Sequence, residues 1–147
     1  MTAALRWHDR SFAELAVSEL YAITVLRERV FIVEQACAYL DADGFDPVSR
    51  HLWGEADGRI HAYLRIVPAG AKFDEISIGR VITAPEARGT GLGRELMKRG
   101  IEACGAVAIR IGAQAHLERF YGELGFVRAS APYDEDGIPH LEMLRAP

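Results

Sequence analysis

The stretch from Ile76 to Leu96 constrains the fold more than any other part of the chain. It opens with the β-branched run ISIGRVIT, turns at Ala84-Pro85 and passes through the glycine-rich segment Arg88 to Gly93. Leu92, Leu96, Ile101 and Cys104 then recur at helical spacing as far as Gly105. The order is strand, tight glycine loop, helix N-terminus. Unpaired N–H groups at a helix start, together with the positive end of its dipole, make an anion site, and glycines let a phosphate approach the backbone closely. The expected ligand is a phosphate or pyrophosphate. A Walker A loop needs a Gly-Lys pair, which is absent, and a dinucleotide GxGxxG fails because Arg94 stands where its last glycine belongs. A plain surface turn punctuated by three glycines explains the same residues.

The rest of the chain restricts the setting. With 147 residues it suits one domain, residues 1–147, able to bury about 70% of the surface its unfolded chain exposes. Its 17 Lys and Arg against 21 Asp and Glu give a formal charge of −4, which argues against a nucleic-acid partner. Two cysteines, Cys37 and Cys104, without CxxC spacing, and histidines without HExxH, point to neither a disulfide framework nor a zinc site. The segment DADGFD breaks the calcium-loop pattern at Phe45 and Asp46, so no metal is expected. The charged N-terminus lacks a signal-peptide core and no run of about 18 apolar residues occurs, so a cytoplasmic protein with no membrane partner is expected.

Periodicity predicts a strand over Leu5 to His8, one helix or a broken pair over Val17 to Val33, and a loop over Glu34 to Arg50. Leu52 to Glu55 and Ile60 to Val67 form a hairpin about Asp57-Gly58, and Ile76 to Thr83 extends it into an antiparallel meander. Val107 to Ile111 is a strand, Ala115 to Leu124 a helix closed by Gly125, and Phe126 to Arg128 and Leu141 to Leu144 the last strands. The expectation is a single α+β domain with a mixed, mostly antiparallel sheet flanked by helices.

Arg88-x-x-Gly91-x-Gly93 after a strand, with Phe120-Tyr121-Gly122-Glu123-Leu124-Gly125-Phe126 further on, resembles the GNAT superfamily of acetyl-CoA-dependent N-acyltransferases. The pieces Leu26-Arg27, Val30-Phe31-x-Val33-Glu34-Gln35, His51-Leu52, Ile78-Gly79-Arg80-Val81, Ala113-Gln114-Ala115-His116 and Asp134 to His140 are similar to its ElaA-like subfamily, with Ala38 departing where that family's loop has proline. The resemblance implies that acetyl-CoA is the cosubstrate. Val81, Ile82 and Thr83 would hold its pantetheine arm by their backbone. The loop Arg88, Gly89, Thr90, Gly91, Leu92, Gly93 and Arg94 would hold its pyrophosphate, and Gln114 would contact it through its amide.

Tyr121 corresponds to the general acid. Glu34 and His140, with Glu75, Ser77, His51 and His116 beside them, are candidates for the base, and Gln35, His51, Ser77 and Gly79 for the acceptor end. The acceptor is expected to be a small-molecule or peptide amine. Carboxylates in the loop from Glu34 to Asp46 and the turn from Asp134 to His140 suit a cationic acceptor, although a solvated acidic rim accounts for them too. The resemblance leaves a homodimer open, and equally a non-catalytic acyl-CoA sensor or interaction module.

Overall fold

In a computed structural model, which describes residues 4–147, the β-branched runs assemble into one 8-stranded sheet. The strands are β1 (Arg6–Ser11), β2 (Arg50–Ala56), β3 (Arg59–Val67), β4 (Ile76–Thr83), β5 (Ile109–Gln114), β6 (Phe126–Arg128), β7 (Tyr133–Glu135) and β8 (Ile138–Arg145). Their order is β1-β2-β3-β4-β5-β8-β6, with β7 on β8, and every pairing is antiparallel except β4 with β5. The helices are α1 (Val17–Arg27), α2 (Leu92–Cys104) and the short α3 (Glu118–Gly122).

β3, flanked by β2 and β4, is buried on both faces from Ala62 to Val67. Alternation along the strand sends Leu64 to one face and Tyr63 and Arg65 to the other. On the first face α2 comes so close at Gly100 that a Cβ there would stand 2.7 Å from Leu64 Cδ2, so any larger residue would force the buried Leu64 side chain to shift. On the second, Arg27 at the end of α1 lies over the Tyr63 ring. Ile23, Leu26, Leu96 and Met97 complete the two apolar layers.

Several boundaries differ from the sequence reading. β1 extends to Ser11 because it pairs along its whole length with β2. α1 ends at Arg27, where its backbone widens into a π-helical turn over Glu28–Glu34. Val107 belongs to a tight turn closed by its N–H on the Gly105 carbonyl, so β5 begins at Ile109. The helix expected from Ala115 is a 3-10 turn, Ala115–Leu117, followed by α3. Strand β7 was read only as part of a turn.

His51, on β2, is fully buried. The Asp46 carbonyl can only accept, so Nε2–H donates to it at 3.1 Å and Nδ1 accepts from the Tyr63 hydroxyl at 2.7 Å. Burial holds the His51 pKa below its ordinary value. The unfolded chain therefore takes up a proton that the folded chain refuses, and stability falls as pH drops below about 6.5. Burial alone would raise Asp43 and Asp46, but hydrogen bonds and charge from Arg65 and Arg27 outweigh it and hold both below the usual carboxylate range. Their contribution is complete above about pH 4 and is lost as pH falls through their lowered values. The thermal midpoint is expected to fall in two stages on acidification, with His51→Gln removing the upper one. A wild-type midpoint unchanged between about pH 7.5 and pH 5 would contradict a buried neutral His51.

Candidate active site

β4 and β5 pair only at Ile76 with Ile109 and Ser77 with Arg110. Beyond that point β5 continues beside β8 alone, so the edge of β4 from Ile78 to Thr83 faces an open wedge. On its other side β4 is bulged. Gly79 stands opposite Arg65 and Ile82 opposite Tyr63, which sets Arg80 and Val81 together against Leu64. Arg80 takes a left-handed φ of 52°, a conformation that costs a non-glycine residue about 1–2 kcal/mol. Its guanidinium is fixed by Asp41 (Nε to Oδ1, 2.8 Å) and lies over the rings of Phe31 and Tyr39. The bulge turns the β4 backbone toward the wedge.

At its C-terminal end β4 runs through Ala84 and Pro85 into the glycine loop. Gly91 is the N-cap of α2 with φ of 80°, a backbone state that favours glycine. The N–H groups of Leu92, Gly93 and Arg94 lie in the first turn of a 13-residue helix, where no intrahelical acceptor exists. The Thr90 hydroxyl donates to the Ala87 carbonyl at 2.8 Å and closes the loop. Wedge and loop together form one cleft of about 1260 Å³.

Most residues singled out on sequence border this cleft. Val81, Ile82 and Thr83 line it from β4, and Arg88, Gly89, Gly91, Leu92, Gly93 and Arg94 line it from the loop. Thr90 does not, because its side chain is turned into the loop. Ser77 and Gly79 lie on its floor, and nothing stands within 4 Å of where a Gly79 Cβ would be. Gln114 borders it at the end of β5, with its side-chain Nε2 donating to Gln35 Oε1 at 3.5 Å.

Tyr121 on α3 is 7% exposed, edge-on to Phe120 and Phe126, and burial pushes its pKa up to about 12. Its hydroxyl makes no hydrogen bond to protein among the described residues, whereas the buried Tyr63 hydroxyl is bonded to His51. His140 on β8 donates Nδ1–H to the Ile138 carbonyl at 2.8 Å, and its Nε2 lies 3.3 Å from Glu135 Oε2. Tyr133 stacks against the His140 ring. Glu142 shares the cleft with His140, being two residues along the same strand, and is held by Arg110.

Three expectations are corrected. His51 is not in the cleft: full burial and two internal hydrogen bonds make it a core residue, out of reach of any substrate. Glu34 does border the cleft, but Arg88 grips both its oxygens at 2.6 and 2.7 Å, and these hydrogen bonds lower its pKa, so it is a poor proton acceptor. The carboxylates of Asp41, Asp43 and Asp46 are no free acidic rim, because Arg27, Arg65 and Arg80 bind them. Arg94 is likewise paired, with Glu123 at 2.5 Å. Sequence reading missed Arg80, Tyr133 and Lys72 as cleft residues, whereas Glu135, in the acidic turn read as suiting a cationic acceptor, does border the cleft. Only the aromatic and acidic run before Gly137 signalled any of them.

Residues 32–146 match the family model of an acetyltransferase (GNAT) domain. Protein ElaA of Escherichia coli (strain K12) is 41% identical over 147 residues, covering 96% of both chains. The crystal structure of Escherichia coli ElaA aligns with a TM-score of 0.90 at 40% identity, over 96% of this chain and 99% of that one. That of an acyl-CoA N-acyltransferase from Pseudomonas aeruginosa aligns with a TM-score of 0.94 at 42% identity, over 97% and 100%. Sequence, topology and the strand-to-loop cleft agree: the chain belongs to the GNAT acetyltransferase family, among its ElaA-like members.

Proposed function

We propose that this chain transfers an acetyl group from acetyl-CoA to a primary amine of a small molecule or peptide, by direct attack of the amine. The observation that carries the reading is the unpaired edge of β4 running straight into the N–H cradle at the start of α2. An extended amide-bearing arm can add to that edge like a strand, and the phosphates at its end meet the helix N-terminus. In this reading Val81 and Thr83 pair with the arm, and the N–H groups from Gly89 through Arg94 hold the pyrophosphate. Arg88 and Arg94 exchange their glutamates for phosphate oxygens.

The cosubstrate supplies an activated acyl group as a thioester. An N–H of the bulged segment, at Val81 or Ile82, polarises its carbonyl, and the open space over Gly79 admits the amine. The Tyr121 hydroxyl, lacking a protein acceptor, is available to the departing sulfur. Nε2 of His140 accepts the proton that the amine must lose, directly or through one water, and Glu135 steadies the resulting charge. Gln35 and Ser77 border the acceptor. A non-catalytic acyl-CoA sensor needs the same loop but no hydroxyl beside the sulfur.

The test is the thermal midpoint of the protein with excess acetyl-CoA, against ATP at the same concentration. Ligand at 100 times its Kd adds about 2.7 kcal/mol, which raises the midpoint of a domain this size by roughly 5–10 °C. An equal rise with ATP would reduce the cleft to a general phosphate site, and no rise with either would remove the acetyl-CoA reading.

A further inference from the structure

Arginine dominates the basic residues of this chain. Of its 17 Lys and Arg, only Lys72 and Lys98 are lysines. Lys98 is exposed on the outer surface of α2, away from the cleft. Lys72 is also exposed, but it borders the cleft. It sits in the connection from β3 to β4, in a turn closed by Gly70 N–H on the Phe73 carbonyl at 2.7 Å. Its Nζ lies 5.8 Å from the centroid of the Phe73 ring. Crowding by the surrounding protein, with the charges of Arg65 and Arg80, lowers the Lys72 pKa against the opposing pull of Glu135 and Asp43.

Direction along β4 decides what this amine faces. β4 leaves the Lys72 connection at Ile76 and reaches the glycine loop after Thr83. A cosubstrate whose phosphates sit at the N-terminus of α2 and whose arm follows β4 therefore points its acyl end back toward Gly79 and Ser77. Lys72 is at that end. A guanidinium stays protonated and cannot act as an acyl acceptor, whereas a lysine amine freed of its proton can.

We propose that Lys72 is a self-acetylation site, receiving the acetyl group in cis from acetyl-CoA bound in its own cleft; this rests on the acetyl-CoA reading above. The Lys72 ammonium first gives a proton to water. The neutral Nζ then forms a C–N bond to the acyl carbon as the C–S bond breaks. The nitrogen loses its second proton and the departing sulfur gains one, so the products are Nε-acetyl-lysine and free CoA thiol. The modification removes the one lysine charge beside Asp43 and Glu135 and adds bulk where the acceptor enters, so it throttles turnover when acetyl-CoA is abundant and acceptor scarce.

The experiment incubates the intact purified chain with acetyl-CoA and no added amine, and follows acetylation of each lysine by peptide mass spectrometry. Lys72 is expected to be acetylated at least about tenfold faster than Lys98, because an amine bordering the cleft gains from proximity to the bound thioester. Its rate should not change when the protein is diluted, Lys72→Arg should lose the signal, and Tyr121→Phe should slow Lys72 without slowing Lys98. If acetyl-CoA raises the thermal midpoint but both lysines react equally, or the Lys72 rate scales with protein concentration, self-acetylation in cis is wrong while the acetyl-CoA site stands. If acetyl-CoA neither raises the midpoint nor modifies Lys72, both readings fall.

Discussion

Replacing Tyr121 with phenylalanine is expected to lower kcat about 100-fold while leaving acetyl-CoA binding within a few-fold and the thermal midpoint almost unmoved. The substitution removes one oxygen and keeps the ring, so the edge-on contacts with Phe120 and Phe126 survive. The lost hydroxyl has no protein acceptor among the described residues, so no partner is left unsatisfied behind it. With its pKa pushed up to about 12, the phenol stays protonated across any practical assay range. That value lies above the roughly 8.5 of a thiol, so the hydroxyl stabilises developing negative charge on sulfur chiefly as a hydrogen-bond donor. Such an interaction exists in the transition state and not in the bound ground state, so its loss falls on kcat and spares KM. The readout is thiol release with an amine acceptor found by screening. A kcat within about threefold of wild type would reduce Tyr121 to a packed aromatic and leave the cleft without its acid.

What could be read from the sequence divides by the range of the interactions involved. β4 and α2 were legible to the residue because β-branching, Ala84-Pro85 and Gly105 are local signals that tertiary contacts do not override here. The anion cradle was legible for the same reason, since it consists of backbone N–H groups whose placement follows from glycine positions. Side-chain partnerships were not. Glu34 finds Arg88 54 residues away, and Arg80 finds Asp41 39 residues away, and neither pairing leaves a mark on periodicity. Composition therefore suggested acidic groups awaiting a cationic substrate, where the fold spends most of them on arginines. β7 was missed because its three residues, Tyr133 to Glu135, are all exposed and carry no apolar alternation. The bulge at Arg80 was invisible because nothing in an arginine announces a left-handed backbone, and the Asp41 and Asp43 that hold its side chain come from another loop.

That network is also where the largest loss of stability is expected. Arg27 has a side chain only 4% exposed and binds Asp41 through Nε at 2.9 Å and Asp46 through a terminal nitrogen at 2.7 Å. Asp46 also binds Arg65, and Asp41 also binds Arg80, so Arg27 joins α1 to both arginines of the cleft wall. Arg27→Met preserves most of the stem that lies over Tyr63 but leaves two largely buried carboxylates short of a partner. Removing one member of a buried ion pair costs about 3–5 kcal/mol, which in a domain of this size lowers the midpoint by roughly 10–15 °C. Because the stranded charges are carboxylates, the gap between the variant and the wild type should narrow as pH is lowered toward about 4. Arg27→Lys keeps the charge and loses the fork that reaches both aspartates, so it should fall between the two. Since Asp41 orients Arg80 at the β4 bulge, Arg27→Met is further expected to weaken acetyl-CoA binding even at temperatures where it stays folded. A midpoint within about 3 °C of wild type would show that water replaces the guanidinium at little cost, and that the loop from Asp41 to Asp46 is held by Arg65 and Arg80 alone.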